Sequence, residues 1–158
     1  MTSLNIRARA PQATDRDIAD IKRFIDQTNQ RRNDLSERCD VLLLELLSHH
    51  QLPDPDAPLH SESPGLIFDR LSILSLKLFH TREEISRLGS PPGHEERNRE
   101  RLRILTEQRA DLGQAFDHLW QQVLERERRF KLYRQLKMYN DPALNPAVYE
   151  HPTKAERR

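Results

Sequence analysis

A three-and-four alternation of apolar residues, written twice in one chain, constrains this sequence more than any other feature. The first copy reads Ile18, Ile21, Ile25, Leu35, Cys39, Leu42 and Leu46, with Thr28 and Arg32 completing the spacing. The second reads Leu102, Leu105, Arg109, Leu112, Phe116, Leu119 and Val123. This spacing gathers every member on one face of an α-helix. Sustained over several heptads, it predicts two long helices whose stripes pack as coiled-coil seams do. A shift of 77 positions lays Ile25 on Leu102, Arg32 on Arg109, Leu35 on Leu112, Cys39 on Phe116 and Leu42 on Leu119. The stretches "RRNDLSERCD" and "QRADLGQAFD" are the same seam used on two helices running the same way.

The punctuation between the copies supplies the remaining elements. Helix one is expected from about 15 to 50, capped by Thr14 or Asp15 with acidic residues in its first turns. "QLPDPDAPLHSESPG" holds four prolines and is a loop. Ser63 followed by Pro64 starts helix two, because proline is tolerated in a first turn. Helix two carries the stripe Leu71, Leu74, Leu78, Thr81, Ile85, Leu88 and a second stripe Asp69, Ile73, Leu76, His80, Glu83, Arg87. A helix apolar on two faces is sandwiched between neighbours. "GSPPG" ends it, and helix three is expected from near His94 to about Arg128. "RRFKLYRQLKMY" reads as a short fourth helix, and "NDPALNPAVYEHP" as a turn-rich tail.

The expected fold is all-α: an up-down-up bundle of three long helices with a short fourth helix and an irregular C-terminal tail. Residues 1–13 would form a disordered arm, 14–139 the bundle and 140–158 the tail. Leu35, Leu42, Leu74, Leu112, Phe116 and Leu119 would share one core.

Composition narrows the function classes. Twenty-six basic residues stand against twenty-five acidic ones, so no global field recruits nucleic acid. The arginines of 97–109 and 126–134 are interleaved with glutamate, as on a solvated helix face. One cysteine, Cys39, excludes an internal disulfide and any zinc site built on several cysteines. "VLLLELL" is the longest apolar run and falls far short of the ~20 residues of a membrane span. The N-terminus has no apolar core of a secretory signal. A soluble, cytoplasmic protein is expected, without membrane insertion or nucleic-acid binding.

The arginines in the seams are the candidate chemistry. Arg32 and Arg109 stand where a seam expects leucine, at matching heights, and should be mostly buried. Helix two brings Asp69, Arg70, Lys77 and His80 to the same level, with Asn29 nearby. Asp69, Asp40 and Asp117 are the acids within reach. One reading is an ion-pair network that fixes register. Another is a site for a phosphate or carboxylate, with Arg32, Asp69, Arg70, Lys77, His80 and Arg109 as its ligand-binding residues. A third is arginines reaching past the apolar surface to solvent.

Other constellations carry less. His80 and Glu83 share a helix face, but di-iron bundles need more carboxylates than the neighbouring seams offer, so no metal site is expected. There is no phosphate-cradling glycine loop, nucleophile elbow or His-Glu-x-x-His, and neither a cofactor nor a catalytic residue can be named. Ser61 and Ser63 precede helix two, whose N-terminus can bind an anion, and they read first as capping residues. His49, His50 and His60 read as solvated. Tyr133, Lys137, Tyr139, Asn140 and Asp141 form a polar-aromatic cluster that reads as a tail folded over the bundle end, as a lid over the mid-bundle site, or as a docking surface for a partner.

The stretches "IDQTNQRRNDLSERCD", "HSESPGLIFDRLSILSLKLFHTREE", "LTEQRADLGQAFDHL" and "YRQLKMYNDPALNP" resemble the bacterial domain-of-unknown-function family numbered 4254, over residues 25 to 146. That resemblance implies a small helical protein, often encoded near glycosyltransferases of surface-polysaccharide synthesis. It implies no catalytic residues. The function expected is a non-catalytic accessory or scaffold factor for surface-glycan synthesis, with a glycosyltransferase or other protein as partner and self-association as a homodimer. The alternative is a small enzyme or binding protein for an anionic metabolite such as a sugar phosphate, held by inward-facing arginines.

Overall fold

The structure is a computed structural model that describes residues 12–134. Those residues are all-helical, with three helices and no strand. Helix α1 spans Asp15–Ser48. Its Thr14 cap and Asp17 satisfy each other's backbone N–H groups in a capping box. Helix α2 spans Pro64–Ile85, with Ser63 as N-cap and proline in the first turn. Helix α3 spans His94–Leu124, behind a left-handed Gly93 at φ +73°.

Helix α2 packs against both of its neighbours. Asp40 of α1 meets Ser63 and Gly65, while Arg32 meets Asp69. Residue numbers therefore fall along α1 as they rise along α2. On the other side Phe68 lies 4.8 Å from Phe116, and Glu84 reaches His94 at 3.0 Å. The same opposed sense holds between α2 and α3.

The main core cluster gathers the end of α1, the start of α2 and the second half of α3, while Leu78, farther along α2, is buried outside it. Leu47, Ile67, Leu112, Leu119, Val123 and Phe130 are buried together, with Leu43, Leu44, Leu52, Leu71, Leu74, Phe116 and Trp120 packed around them. Full burial of one such side chain stabilises by about 1.5–3 kcal/mol, so this cluster anchors the three helices.

The core corrects the seam of the first helix. Leu112 and Leu119 are buried as expected, and Leu74 and Phe116 pack on the cluster. Leu35 and Leu42 do not join it: they are 58% and 55% exposed, and Leu46 is 56% exposed. Helix α1 instead buries Ser36, Asp40 and Leu47, each one position after an expected seam residue. One residue is a rotation of about 100°. The cause is the close crossing of α1 over the start of α2. A Cβ at Gly65 would collide with the Ser36 carbonyl oxygen and lie 2.9 Å from the Asp40 carboxylate. The small residues at 36 and 65 let the backbones touch there, and that contact sets the face α1 turns inward.

The fourth helix is also corrected over its described part. Arg126 at φ +64° turns the chain out of α3, and residues 128–134 are not helical. Arg129 lies against the proline-rich loop instead, and Arg134 reaches Glu37 of α1 at 3.6 Å. The Arg129 N–H donates to the Pro58 carbonyl at 3.1 Å, and the His60 N–H donates to the Arg129 carbonyl at 2.8 Å. The Arg129 side chain donates to the Ala57 carbonyl, and Arg126 to those of His50 and Gln51. Loop carbonyls take the donors that a helix would have used internally, and Phe130 is buried beneath. Residues 135–139 of that expected helix, the tail from 140 and the arm through residue 11 lie outside the described residues.

Candidate functional site

A buried polar cluster lies where α1 crosses α2. Ser63 is an N-cap whose hydroxyl accepts from the Leu66 N–H at 3.4 Å and donates to Asp40 Oδ2 at 2.5 Å. The Gly65 N–H donates to Asp40 Oδ1 at 2.7 Å. Asp40, only 2% exposed, thus satisfies an orphan donor of the α2 N-terminus from a different helix. Burial raises its pKa above the ordinary aspartate value, more than the hydrogen bonds from Ser63 and Gly65 lower it, and Glu37 adds to the rise. Burial and the nearby Asp40 also push the Cys39 thiol up. Asp40, Ser63 and the Gly65 N–H each face a polar partner, so the chemistry of this crossing is that of a structural joint. Asp40 thus stands at the α2 N-terminus and not beside the arginines, and the signal in the sequence for this role is Ser63–Pro64–Gly65.

One turn along, Arg32 Nε lies 2.5 Å from Asp69 Oδ1, and both atoms are shielded from solvent. Arg32 also approaches Asn29 at 3.5 Å. Arg70 is bound by both oxygens of Glu62, at 2.8 and 2.6 Å. His80 Nδ1 meets Glu83 Oε2 at 2.7 Å. Arg109 corrects the duplicated seam: it is exposed and has no ion-pair partner among the described residues. The six expected ligand-binding residues therefore do not converge on one place.

Five of them divide among three depressions, and Arg109 lines none of the three. Arg32 and Asp69 line a cleft of about 270 Å³ between α1 and α2, with Leu35, Cys39 and Phe68. Arg70 and Lys77 line a groove of about 830 Å³ between α2 and α3, with His60, Glu62, Gln108 and Asp111 among its other walls. Lys77 and His80 line its continuation of about 250 Å³, with Glu84, Asn98 and Arg101. His60, expected to be simply solvated, is half-buried, and its Nδ1 lies 2.8 Å from the Glu62 carbonyl. The larger groove has both signs of charge and an apolar floor of Ile67, Leu74 and Leu112. Among the described residues no group of three His, Cys, Asp or Glu side chains is placed to hold a metal ion.

The outer face of α3 is laced by Arg99–Glu95, Arg103–Glu100 and Arg103–Glu107 pairs, which makes its arginine-rich stretch a solvated surface. The apolar stripe of α1 is uncovered: Phe24, Leu35, Leu42 and Leu46 each expose more than half of their surface. Among the described residues no helix is long and apolar enough to cross a membrane.

Neither a curated protein nor a solved structure matches the chain. One family model does, that of DUF4254, "Protein of unknown function", over residues 3–132. With that match across most of its length, the chain belongs to the DUF4254 family.

Proposed function

We propose that this protein is a non-catalytic accessory or scaffold factor of bacterial surface-glycan synthesis, an up-down-up helical bundle that acts in the cytoplasm through a protein-docking surface on α1. The observation that carries this reading is the stripe on α1. Leu35, Leu42 and Leu46 keep heptad spacing and stay more than half exposed, while the adjacent face of the same helix is buried against α2. Contiguous exposed apolar surface of this kind marks interaction sites. The charged side chains support it from the other direction: among the described residues Arg32 pairs with Asp69 and Arg70 with Glu62, and the two pairs stand apart rather than converging on one place. The glycan setting rests on the gene neighbourhood that the family resemblance implies. Complementation tests the reading. In a host lacking the gene, wild-type protein should restore surface polysaccharide, and Leu42→Glu should fail although it folds. Full restoration by Leu42→Glu overturns the reading.

A second reading has one observation in its favour. Lys77 lines the 830 Å³ groove and has no ion-pair partner among the described residues. An anionic metabolite such as a sugar phosphate could use it together with Arg70. A thermal-shift screen of phosphorylated metabolites checks this, because a ligand at 100 times its Kd stabilises by about 2.7 kcal/mol. Stabilisation that survives Lys77→Met would discard it.

A further inference from the structure

This inference rests on the α1 stripe being a docking surface, and it names what docks there. We propose that the occupant is a second copy of the chain, paired antiparallel through α1 about a two-fold axis level with Asp40 and Val41.

The register follows from the stripe. In an antiparallel pair, the two seam positions of a heptad face each other across the axis. Setting Leu35 against the partner's Leu46 also sets Cys39 against the partner's Leu42, and the two-fold repeats both layers. The result is four consecutive layers with no charged member. Leu35, Leu42 and Leu46 are more than half exposed in the single chain, and Cys39 is partly exposed. A shift by one heptad toward the N-terminus would bring Arg32 into a layer, where its guanidinium is already held by Asp69.

The flanking charges select the same register independently. Arg38 and Glu45 each stand one residue before a seam position, on the edge of the stripe turned away from α2. Both are exposed, and neither has an ion-pair partner among the described residues. They lie seven residues apart on one helix, about 10 Å along the axis, too far to pair with each other. In the antiparallel register each faces the other type: Arg38 meets the partner's Glu45, twice by symmetry. The opposite edge of the stripe is occupied by α2, so the pair adds helices on that side rather than open solvent. Four layers make a small interface, so association is expected to depend on concentration.

Sedimentation equilibrium on the full chain tests this, with wild type, Arg38→Glu, Glu45→Arg and the double variant. Wild type should form a dimer. Each single reversal should raise the dimer Kd about tenfold or more, and the double swap should restore it to within about threefold. Leu42→Ala keeps the helix former and should also weaken the dimer, with helicity checked by circular dichroism. A wild type that stays monomeric up to about 1 mM overturns the pairing. So does a dimer whose Kd ignores the single reversals, or one that the double swap fails to restore. A monomeric wild type combined with failed complementation by Leu42→Glu overturns the pairing alone and leaves the stripe to a different protein.

Discussion

Asp40, in the middle of α1, accepts the hydroxyl proton of Ser63 at the start of α2, across 23 positions of sequence. The same carboxylate accepts from the Gly65 N–H. A helix N-terminus is thereby capped from a neighbouring helix, which ties the local order of α2 to the packing of α1. Burial without a cationic partner is what sets the proton affinity of this group.

The first prediction is a pH dependence. The folded-state pKa of Asp40 is raised from 3.8. The folded protein therefore holds this proton more tightly than the unfolded chain does. Its stabilising contribution is fully present below 3.8 and is lost as pH rises through the raised value. The stability of wild type minus that of Asp40→Asn should fall as pH is raised from the strongly acid side through that window. Urea unfolding at a series of pH values measures it, and a difference that grows with pH contradicts the direction.

Gly65 is the tightest point of the crossing. A methyl group there would collide with a backbone carbonyl, which has no rotamer to escape into. Gly65→Ala should destabilise by at least about 1–3 kcal/mol, as overpacking does, although alanine is the better helix former by nearly 1 kcal/mol. A neutral or stabilising Gly65→Ala in a denaturant titration would mean that α1 and α2 stand further apart.

Much of this architecture was legible in the sequence because it is written in local signals. Thr14, Ser63–Pro64 and the "GSPPG" break each act within a few residues, so the three helices begin and end close to where capping chemistry puts them. The face of α1 was not legible. Periodicity favours the most apolar stripe, Leu35, Leu42 and Leu46, and the helix turned a parallel stripe inward that includes Ser36 and Asp40. What decided the rotation was a contact between two backbones at Ser36 and Gly65, a property of two segments together. Arg109 was misplaced as well: it is exposed although Leu112 and Leu119 of the same seam are buried. The groove residues His60, Glu62, Gln108 and Asp111 come from separate segments and share no spacing that a single window could detect.

The rotation has an energetic signature. Leu112 is 8% exposed in the core cluster, and its truncation to alanine should cost on the order of 2–5 kcal/mol. Leu42 occupies an equivalent seam position but is 55% exposed. Leu42→Ala should change the stability of the dilute chain by no more than about 0.5 kcal/mol. Comparable losses in both variants would show that the two seams share one core after all.

The Arg32–Asp69 pair stands between the buried and the surface class of ion pairs. The side chains are 30% and 18% exposed, so water screens the contact only in part. A double-mutant cycle with Arg32→Met and Asp69→Asn should give a coupling of about 1–3 kcal/mol, above the ~0.2–1 of exposed pairs and below the 3–5 of breaking a fully buried one. Arg109→Met serves as the control, since Arg109 is exposed and meets no acid among the described residues; it should shift stability by less than about 0.5 kcal/mol. The cycle also separates the two roles considered for Arg32. A guanidinium engaged by Asp69 should gain nothing from added phosphate, while one held in reserve for an anion should show a phosphate-dependent stabilisation that Arg32→Met removes. Unfolding of all four proteins in phosphate and in chloride at equal ionic strength reads both numbers at once, and a coupling near zero would place Arg32 with Arg109 among the merely solvated arginines.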